Sequence, residues 1–311
     1  MGSYMASRLE ASSAYPTRIA RAAVIAAALW TPFVANAQSE RSSFASITPY
    51  WQGSADIDDG GDFDAKGVAL RAGMRTRLSD GVHGGVSLNY DGIDFDFSGR
   101  GAVGGAPWGN VQRIGLSLPF TFQGAGDWTY GVVPSVEWSR ENGADSGDSQ
   151  VYGAIVSATR SFAADKRLGF GLGAYSHIEE NRVIPLIIVD WRLNERWRLV
   201  NPLPAGPVGP AGLELDYRFD NGWNLGVGAT VRSLRFRLRE DGPVRDGVGE
   251  ETGVPVFLRA STQFGNDSSL HLYAGAIVAG KLRVEDSKGR KVYEESFDPT
   301  PILGATFSTR F

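Results

Sequence analysis

The feature that most constrains the fold of this chain is the regular exchange of very short turns and long polar loops between segments of alternating hydrophobicity. The short turns carry Asp-Gly or Asn-Gly pairs, as in Ser-Asp-Gly at 79–81, which is the chemistry of tight β-hairpins. A membrane β-barrel keeps short turns at one end and long loops at the other, whereas a soluble sandwich has no reason to do so. The short turns fall at 79–81, 124–127, 163–166, 194–196, 220–222 and 265–267, and the long loops at 53–64, 98–108, 141–149, 201–211, 239–250 and 285–299.

The segments between these connections have two chemically different faces. In 67–78, Val68 and Leu70 alternate with Arg71 and Arg75. In a barrel the apolar face contacts lipid and the charged face lines the lumen, and in a sandwich the apolar face forms the core. The predicted fold is an all-β transmembrane antiparallel up-and-down barrel. The predicted strands are 43–52, 65–78, 82–97, 109–122, 127–140, 150–162, 167–179, 181–193, 196–201, 211–219, 223–238, 251–264, 269–284 and 300–311.

Two features of this layout qualify the strand count. The short segments 196–201 and 211–219 flank a loop with four prolines, which cannot join a ladder, so the count is twelve if this pair lies outside the wall and fourteen otherwise. Alternation also breaks after Val231, where Leu234 and Phe236 move to the opposite parity, which indicates a bulge or a strand that leaves the membrane.

Aromatic residues cluster beside the short turns, as expected for a girdle at a membrane interface. Aromatics capping the end of a sandwich core are the alternative. The predicted girdle consists of Phe122, Trp128, Trp191, Phe219, Trp223 and Phe264, and Trp108, Trp138 and Tyr152 are predicted to begin the opposite girdle.

The N-terminal segment has the pattern of a secretory signal. An apolar run at 19–35 follows Arg18 and ends before the small-residue site Ala35-Asn36-Ala37, so residues 1–37 are predicted to be the signal peptide and 38–311 the barrel. Residues 1–37 hold three arginines and one glutamate, which leaves 28 basic and 34 acidic side chains and a net charge near −6. This charge disfavours nucleic acid as a partner. The absence of cysteine excludes disulfides and thiolate metal sites.

The last eight residues, Gly-Ala-Thr-Phe-Ser-Thr-Arg-Phe, alternate to the final atom. This ending resembles the closing strand of bacterial outer-membrane barrels, which commonly end on an aromatic residue. The resemblance implies that Phe307 and Phe311 form the signal read by the barrel-assembly machinery, and that the protein contacts outer-membrane lipid and lipopolysaccharide. The stretch 190–223 is similar to one found in uncharacterised porin-like barrels, a domain of unknown function, and it implies no activity.

The charged residues that are predicted to face the lumen bear on whether it is open or closed. They either form an aqueous path that biases which solutes pass, or pair into an impermeable plug. The inward glycines Gly169, Gly171 and Gly173 leave space, which favours a path. The predicted lumen-lining residues are Arg71, Arg75, Arg113, Glu137, Asp190, Arg192, Glu214, Asp216, Arg218 and Arg259.

Catalytic and metal-binding patterns are weak. A lipid hydrolase of this membrane needs a serine beside a histidine base, but His83 and His271 lie next to short turns and Ser176 points away from His177. The acidic loop 56–64 resembles part of a calcium loop, yet Gly67 stands where the ligating glutamate belongs. We therefore expect no enzyme, metal or cofactor. The predicted function is a passive porin-like outer-membrane channel for small polar solutes, with a non-conducting scaffold or surface-interaction barrel as the alternative.

Overall fold

A computed structural model describes residues 41–99, 103, 105–204, 206–209 and 211–311. The predicted signal peptide lies outside these residues. Among the residues described, none belongs to a helix long and apolar enough to cross a membrane.

The described chain is all-β and its strands form one sheet. The strands are β1 (Arg41–Asp56), β2 (Asp62–Ser79), β3 (Val82–Ser98), β4 (Val111–Ser117), β5 (Phe120–Gln123), β6 (Trp128–Glu141), β7 (Gln150–Ala163), β8 (Lys166–His177), β9 (Glu180–Arg192), β10 (Trp197–Val200), β11 (Gly212–Arg218), β12 (Trp223–Thr230), β13 (Arg232–Arg237), β14 (Val248–Phe264), β15 (Ser268–Glu285), β16 (Lys291–Phe297) and β17 (Thr300–Arg310).

These strands make a closed antiparallel barrel of fourteen wall strands, which confirms the predicted fold class. The wall strand count is fourteen because β4 and β5, and likewise β16 and β17, continue one another along the wall, and β13 leaves the wall after β12. β10 and β11 belong to the wall, since β10 pairs with β9 and β11 pairs with β12. β17 pairs with β1, from Phe44 opposite Arg310 to Gln52 opposite Ile302, and this pairing leaves no open edge.

The two faces of the wall follow the alternation of the sequence. Outward side chains such as Phe170 and Ile187 are exposed, while inward neighbours such as Ile155 and Phe257 are buried. Near the short turns, outward aromatics are exposed and form a belt, as predicted. We call this end of the barrel the short-turn end and the opposite end the long-loop end. Of the predicted girdle, Phe122, Phe219, Trp223 and Phe264 are exposed, and Trp128 and Trp191 are partly exposed. Phe162, which was not predicted, is also exposed there.

Strands at the long-loop end extend further than predicted. β14 begins at Val248, inside the predicted loop 239–250, and β16 lies wholly inside the predicted loop 285–299. A bulge separates these extensions from the wall, because the register jumps between Thr252 and Val254 and Ala279 has a φ of 52°. A bulge bends its strand and increases the local twist. The extensions therefore fold over the mouth of the barrel.

β13 crosses the interior of the barrel. It leaves the wall at Val231, pairs with β14 on one edge, and meets β6 on the other through Arg237 opposite Arg140. β6 and β14 lie seven wall strands apart among fourteen, on opposite sides of the barrel. Every side chain of β13 is buried. Leu234 and Phe236 lie on one face of the strand, and Arg235 and Arg237 lie on the other. We call β13 the plug strand.

An aromatic cluster fills the interior beside the plug strand. The Trp108 ring lies edge-on to Phe236 with centroids 5.2 Å apart, and it also contacts Phe95 and Phe97. The predicted place of Trp108 in an outer aromatic girdle is therefore wrong, because only 3 % of Trp108 is exposed. Trp108 lies in a connection rather than a strand, so alternation gives no information about its direction.

The proline-rich loop between β10 and β11 also turns inward. Val208 is buried in the same apolar cluster, and Gly206, with a φ of 57°, lies directly against the rings of Tyr50 and Tyr273. The described residues of this loop add to the closure of the long-loop half.

Gly304 lets the ring of Tyr273 lie close against the backbone of the wall. It is paired with Tyr50 on one side and Tyr273 on the other, and a Cβ at this position would overlap the Tyr273 ring. We expect Gly304→Val to lower the free energy of unfolding by about 1–3 kcal/mol, the usual cost of overpacking. The measurement is a urea titration of the barrel in vesicles. Ala305→Val, on the outward face of the same strand, is the matched control, and an equal loss in both variants would contradict this explanation.

Candidate functional site

The short-turn half of the interior is a polar chamber lined by small side chains. Thr129, Ser157, Gly169, Asn224 and Ser269 face inward from five strands and remain partly accessible. The long-loop half is filled by the plug strand and the aromatic cluster, in which Phe63 and Phe236 have no exposed surface. The interior is thus open and polar at one end and packed at the other.

A first ion cluster lies on the wall of β2, β3, β4 and β6. Arg71 Nη1 lies 2.8 Å from Asp91 Oδ1, and Arg113 donates to Asp91 Oδ2 from Nε at 2.9 Å and from Nη2 at 2.7 Å. Glu137 is 3.9 Å from Arg113 Nε. The structure brings the predicted Arg71, Arg113 and Glu137 together around Asp91. Sequence reasoning missed Asp91, although its inward parity on β3, shared with Asn89, was a readable signal.

Asp91 is the common acceptor of this cluster, so its removal has a predictable cost. Asp91→Asn removes the anion that Arg71 and Arg113 share and leaves only Glu137, 3.9 Å from Arg113. Breaking a buried pair in this way costs about 3–5 kcal/mol. We expect a loss of this size in urea titrations of the vesicle-embedded barrel. Asp94→Asn, which breaks the exposed Lys66–Asp94 pair three residues away, should cost less than about 1 kcal/mol. Equal effects of the two substitutions would contradict the role of Asp91.

A second ion cluster faces the first across the chamber. Arg259 Nε lies 2.8 Å from Glu214 Oε1, and its Nη2 lies 3.6 Å from Asp216 Oδ1. The strand between them, β12, has Gly226 opposite Arg259, and a side chain there would overlap the Glu214 carboxylate. The glycine therefore leaves the space in which these charges meet.

The remaining predicted lumen residues differ in their contacts. Asp190 pairs with Arg198, at 2.7 Å, rather than with a residue of β11. Arg75 Nη2 donates to Thr121 Oγ1 at 2.5 Å. Within the described ranges Arg192 and Arg218 form no ion pair. Whether any of these residues governs passage of a solute stays a prediction.

A third cluster, which sequence reasoning missed, holds the plug strand. Arg235 has 1 % of its side chain exposed and lies 2.6 Å from Glu285 and 3.3 Å from Glu250. Arg237 contacts Glu179 at 2.6 Å, in the turn between β8 and β9. The parity break after Val231 was the signal, but the carboxylate partners come from distant strands.

Further contacts connect the plug strand to three sides of the barrel. Ser139 of β6 donates from Oγ to the backbone oxygen of Arg235 at 2.8 Å. Arg232 lies 2.8 Å from Glu251 and donates to Gln52 of β1. Side chains therefore connect the plug strand to the barrel at several points, whereas its backbone meets β6 at a single bridge.

The electrostatics of the plug keep Glu250 charged. Glu250 lies six residues before Val256, which is the exposed apolar residue of β14 nearest the long-loop end. It therefore lies outside the apolar band, the belt of exposed apolar side chains that surrounds the wall. Burial would raise the pKa of Glu250, but the guanidinium groups of Arg182 and Arg235 outweigh it and hold that pKa below its usual value. Glu250 therefore remains an anionic partner at neutral pH.

The histidines do not form a complete catalytic arrangement. His177, beyond the apolar band at the end of β8, accepts a hydrogen bond at Nδ1 from the Ile178 N–H, and burial lowers its pKa well below the usual value. Ser269 Oγ lies 3.0 Å from His271 Nε2, a pair that sequence reasoning missed. No carboxylate in the described part of the chain orients His271, because its Nδ1 has no partner there.

No metal-binding group emerges from the described residues, since none of their histidines and carboxylates gather in threes around a common point. Within the acidic loop 56–64, Asp62 accepts hydrogen bonds from Ser54 and Ser98.

The fold is similar to that of a solved outer-membrane channel at low sequence identity. The COG4313 outer membrane channel from Pseudomonas putida F1 is 12 % identical, with a TM-score of 0.51, and the match covers 91 % of this chain and 100 % of that chain. The P. putida toluene transporter TodX is 10 % identical, with a TM-score of 0.42, over 88 % of this chain and 91 % of that chain. Comparison with curated protein sequences found no match. Residues 146–310, more than half of the chain, match the domain of unknown function DUF6268, and the protein belongs to this family.

Proposed function

We propose that the protein is an outer-membrane channel that conducts small polar solutes passively. Its short-turn end faces the periplasm, and the plug strand closes the lumen at the outer end. The polar chamber, with ion clusters on opposite walls, supports an aqueous path. The exposed apolar band and its aromatic belt support contact with outer-membrane lipid and lipopolysaccharide, after export and insertion by the barrel-assembly machinery.

The observation that carries this proposal is that the plug strand is separate from the ladder that closes the wall. β12 pairs with β14 from Trp223 opposite Thr262 to Ala229 opposite Val256, below the plug strand. The wall therefore stays closed if the plug strand moves away from β6. A single backbone bridge and the hydrogen bond from Ser139 hold it beside β6, while Phe236 packs against Trp108. Its ion pairs join it instead to Glu179, Glu250 and Glu285, and these polar contacts can exchange for contacts with water.

A non-conducting envelope scaffold is the second candidate, and the packed half of the interior favours it. Phe63, Phe236 and Phe257 are almost fully buried, and the loop carrying Val208 adds to the same cluster. A barrel filled in this way can be a rigid support whose function lies in its outer loops.

Planar-bilayer recording of the refolded mature barrel distinguishes these candidates. The channel proposal expects long closed periods interrupted by discrete ion-conducting steps. It is contradicted by a folded barrel that stays silent both as the natural sequence and with its plug strand released. Folding is checked independently by the shift in gel mobility on heating, so a silent result is not confused with misfolding.

A further inference from the structure

Three arginines occupy equivalent positions at the short-turn end. The backbone N–H of Arg192 donates to Asp165 at 2.9 Å, that of Arg218 to Arg196 at 2.8 Å, and that of Arg310 to Asp267 at 2.8 Å. In each case the acceptor is a carbonyl in or beside a neighbouring short turn. The three residues therefore lie at the same height, at the rim of the chamber.

The alternation of the strands directs these arginines to the inner face. Arg192 shares its parity with Asp190, which forms an ion pair inside the barrel, and Arg218 shares its parity with Glu214. Arg310 is two residues from Ser308, which contacts the inward Ser269 at 2.7 Å. All three arginines are exposed, so their guanidinium groups reach the aqueous opening of the chamber.

The charge at this rim is not neutralised by the wall. Arg192, Arg218 and Arg310 form no ion pair with any described residue, and neither does Arg167 of β8, which has the same inward parity. The inward carboxylates of the chamber all have arginine partners. These carboxylates are Asp91, Glu137, Asp190, Glu214 and Asp216. The unpaired charge that faces the chamber is therefore positive.

The positive charge of the rim destabilises the wall where two arginines face each other. Arg192 lies directly opposite Arg198 in the β9–β10 register, and like charges in such a pair are destabilising. Asp190 forms an ion pair with Arg198 and lies opposite Arg167 in the β8–β9 register, so one carboxylate serves a group of three arginines. At the positions equivalent to the rim arginines, Gln123 and Ser161 are neutral. The carboxylates of this end lie in the turns, where two are engaged by Arg77 and Arg196. The turn carboxylates are Asp80, Asp127, Asp165, Glu195, Asp220 and Asp267.

We propose that Arg192, Arg218 and Arg310, supported by Arg167, form an anion-binding rim that makes the channel selective for small carboxylate-, phosphate- or sulfonate-bearing solutes. Guanidinium groups bind such anions through charge-assisted hydrogen bonds, and rings of arginine make pores anion-selective. The selectivity rests on the proposed channel function, while binding of an anion at the rim does not.

Two measurements separate these statements. Binding of the trisulfonated dye pyranine to the detergent-folded barrel is followed by fluorescence anisotropy, which needs no conduction. The reversal potential in a KCl gradient reports the ion preference of single channels. The test variant is Arg192→Gln/Arg218→Gln/Arg310→Gln. The matched control, Lys288→Gln/Arg290→Gln/Lys291→Gln, removes three positive charges at the long-loop end.

We expect the natural barrel and the control to bind pyranine and to favour chloride over potassium. The rim variant should bind the dye at least about tenfold more weakly and lose its preference for chloride, because three charge-assisted contacts are removed. If the triple variant does not fold, Arg192→Gln/Arg218→Gln leaves the last strand intact and supplies the same comparison.

The outcomes distinguish the rim from the channel. Dye binding that depends on the rim in a silent barrel supports the anion site and contradicts the channel. Conduction without chloride preference, or with a preference unchanged in the rim variant, contradicts the selectivity. Equal dye binding by the rim variant and the control overturns the anion site itself.

Discussion

Release of the plug strand is expected to convert a mostly closed barrel into a steadily conducting one. The variant Arg235→Ser/Arg237→Ser removes the two guanidinium groups that hold this strand to the turn between β8 and β9 and to the β14–β15 extension. It leaves Glu250 buried with Arg182 alone and Glu285 buried with Arg283 alone, so each of these carboxylates loses one of its two guanidinium partners. The carboxylates then favour a state in which water reaches them, and that state requires the plug strand to leave its place.

The expected size of this effect follows from the cost of breaking a buried ion pair. Removing one member of such a pair costs about 3–5 kcal/mol. Each 1.4 kcal/mol is a factor of ten in an equilibrium constant, so a loss of this size in the closed state shifts the ratio of open to closed barrels at least about a hundredfold. Single-channel recording should show long open periods in place of rare openings.

A matched control tests whether loss of charge alone has this effect. Arg245→Ser/Arg290→Ser removes two exposed arginines from loops at the same end, neither of which contacts the plug strand. We expect its open-state occupancy to equal that of the natural barrel. Comparable opening in both variants would contradict the assignment of the plug strand as the closing element.

A disulfide offers a reversible version of the same test, because the chain has no cysteine of its own. Arg140 and Arg237 are register partners, and neighbouring strands lie about 4.7–4.9 Å apart, within the range that a disulfide spans. Arg140→Cys/Arg237→Cys should stay closed when oxidised and open when reduced. Conduction that is equal in the two states would mean that solutes pass elsewhere.

Most of the barrel wall could be predicted from the sequence because its determinants are local. Turn residues set the hairpins, and period-two alternation sets the faces, so the number and order of wall strands follow from short windows. The segments 196–201 and 211–219 were uncertain because both are short and the loop between them holds four prolines. Their membership in the wall depends on backbone pairing with β9 and β12, which composition alone does not reveal.

The interior was less predictable because its contacts join distant parts of the chain. Ser139 and Arg235 are 96 residues apart, and Arg182 and Glu250 are 68 apart. Alternation shows that a side chain points inward but not which partner it meets. Arg259 thus pairs with Glu214 across β12, and Trp108 enters the core from a connection. The parity break after Val231 marked the place where the wall ends but gave no direction for β13.

Loss of the terminal aromatic ring is expected to remove most of the folded barrel from the outer membrane. In Phe311→Ala the backbone remains, so the hydrogen bonds that Phe311 exchanges with Ser43, at 2.9 and 3.0 Å, are kept and the barrel can still close. Only the exposed ring is lost, which the resemblance to other outer-membrane barrels implies is read during assembly. The measurement is the amount of heat-modifiable barrel in the outer-membrane fraction.

The control that isolates this role is Phe264→Ala. Phe264 is also an exposed aromatic at the short-turn end, but it lies inside the chain at the end of β14. Both substitutions remove a ring from the lipid interface, so barrels refolded in vitro should lose similar stability, about 1.5–3 kcal/mol at most. Assembly in cells should fall only for Phe311→Ala. Equal assembly of the two variants would make Phe311 an ordinary belt residue, whose backbone closes the barrel but whose ring carries no signal.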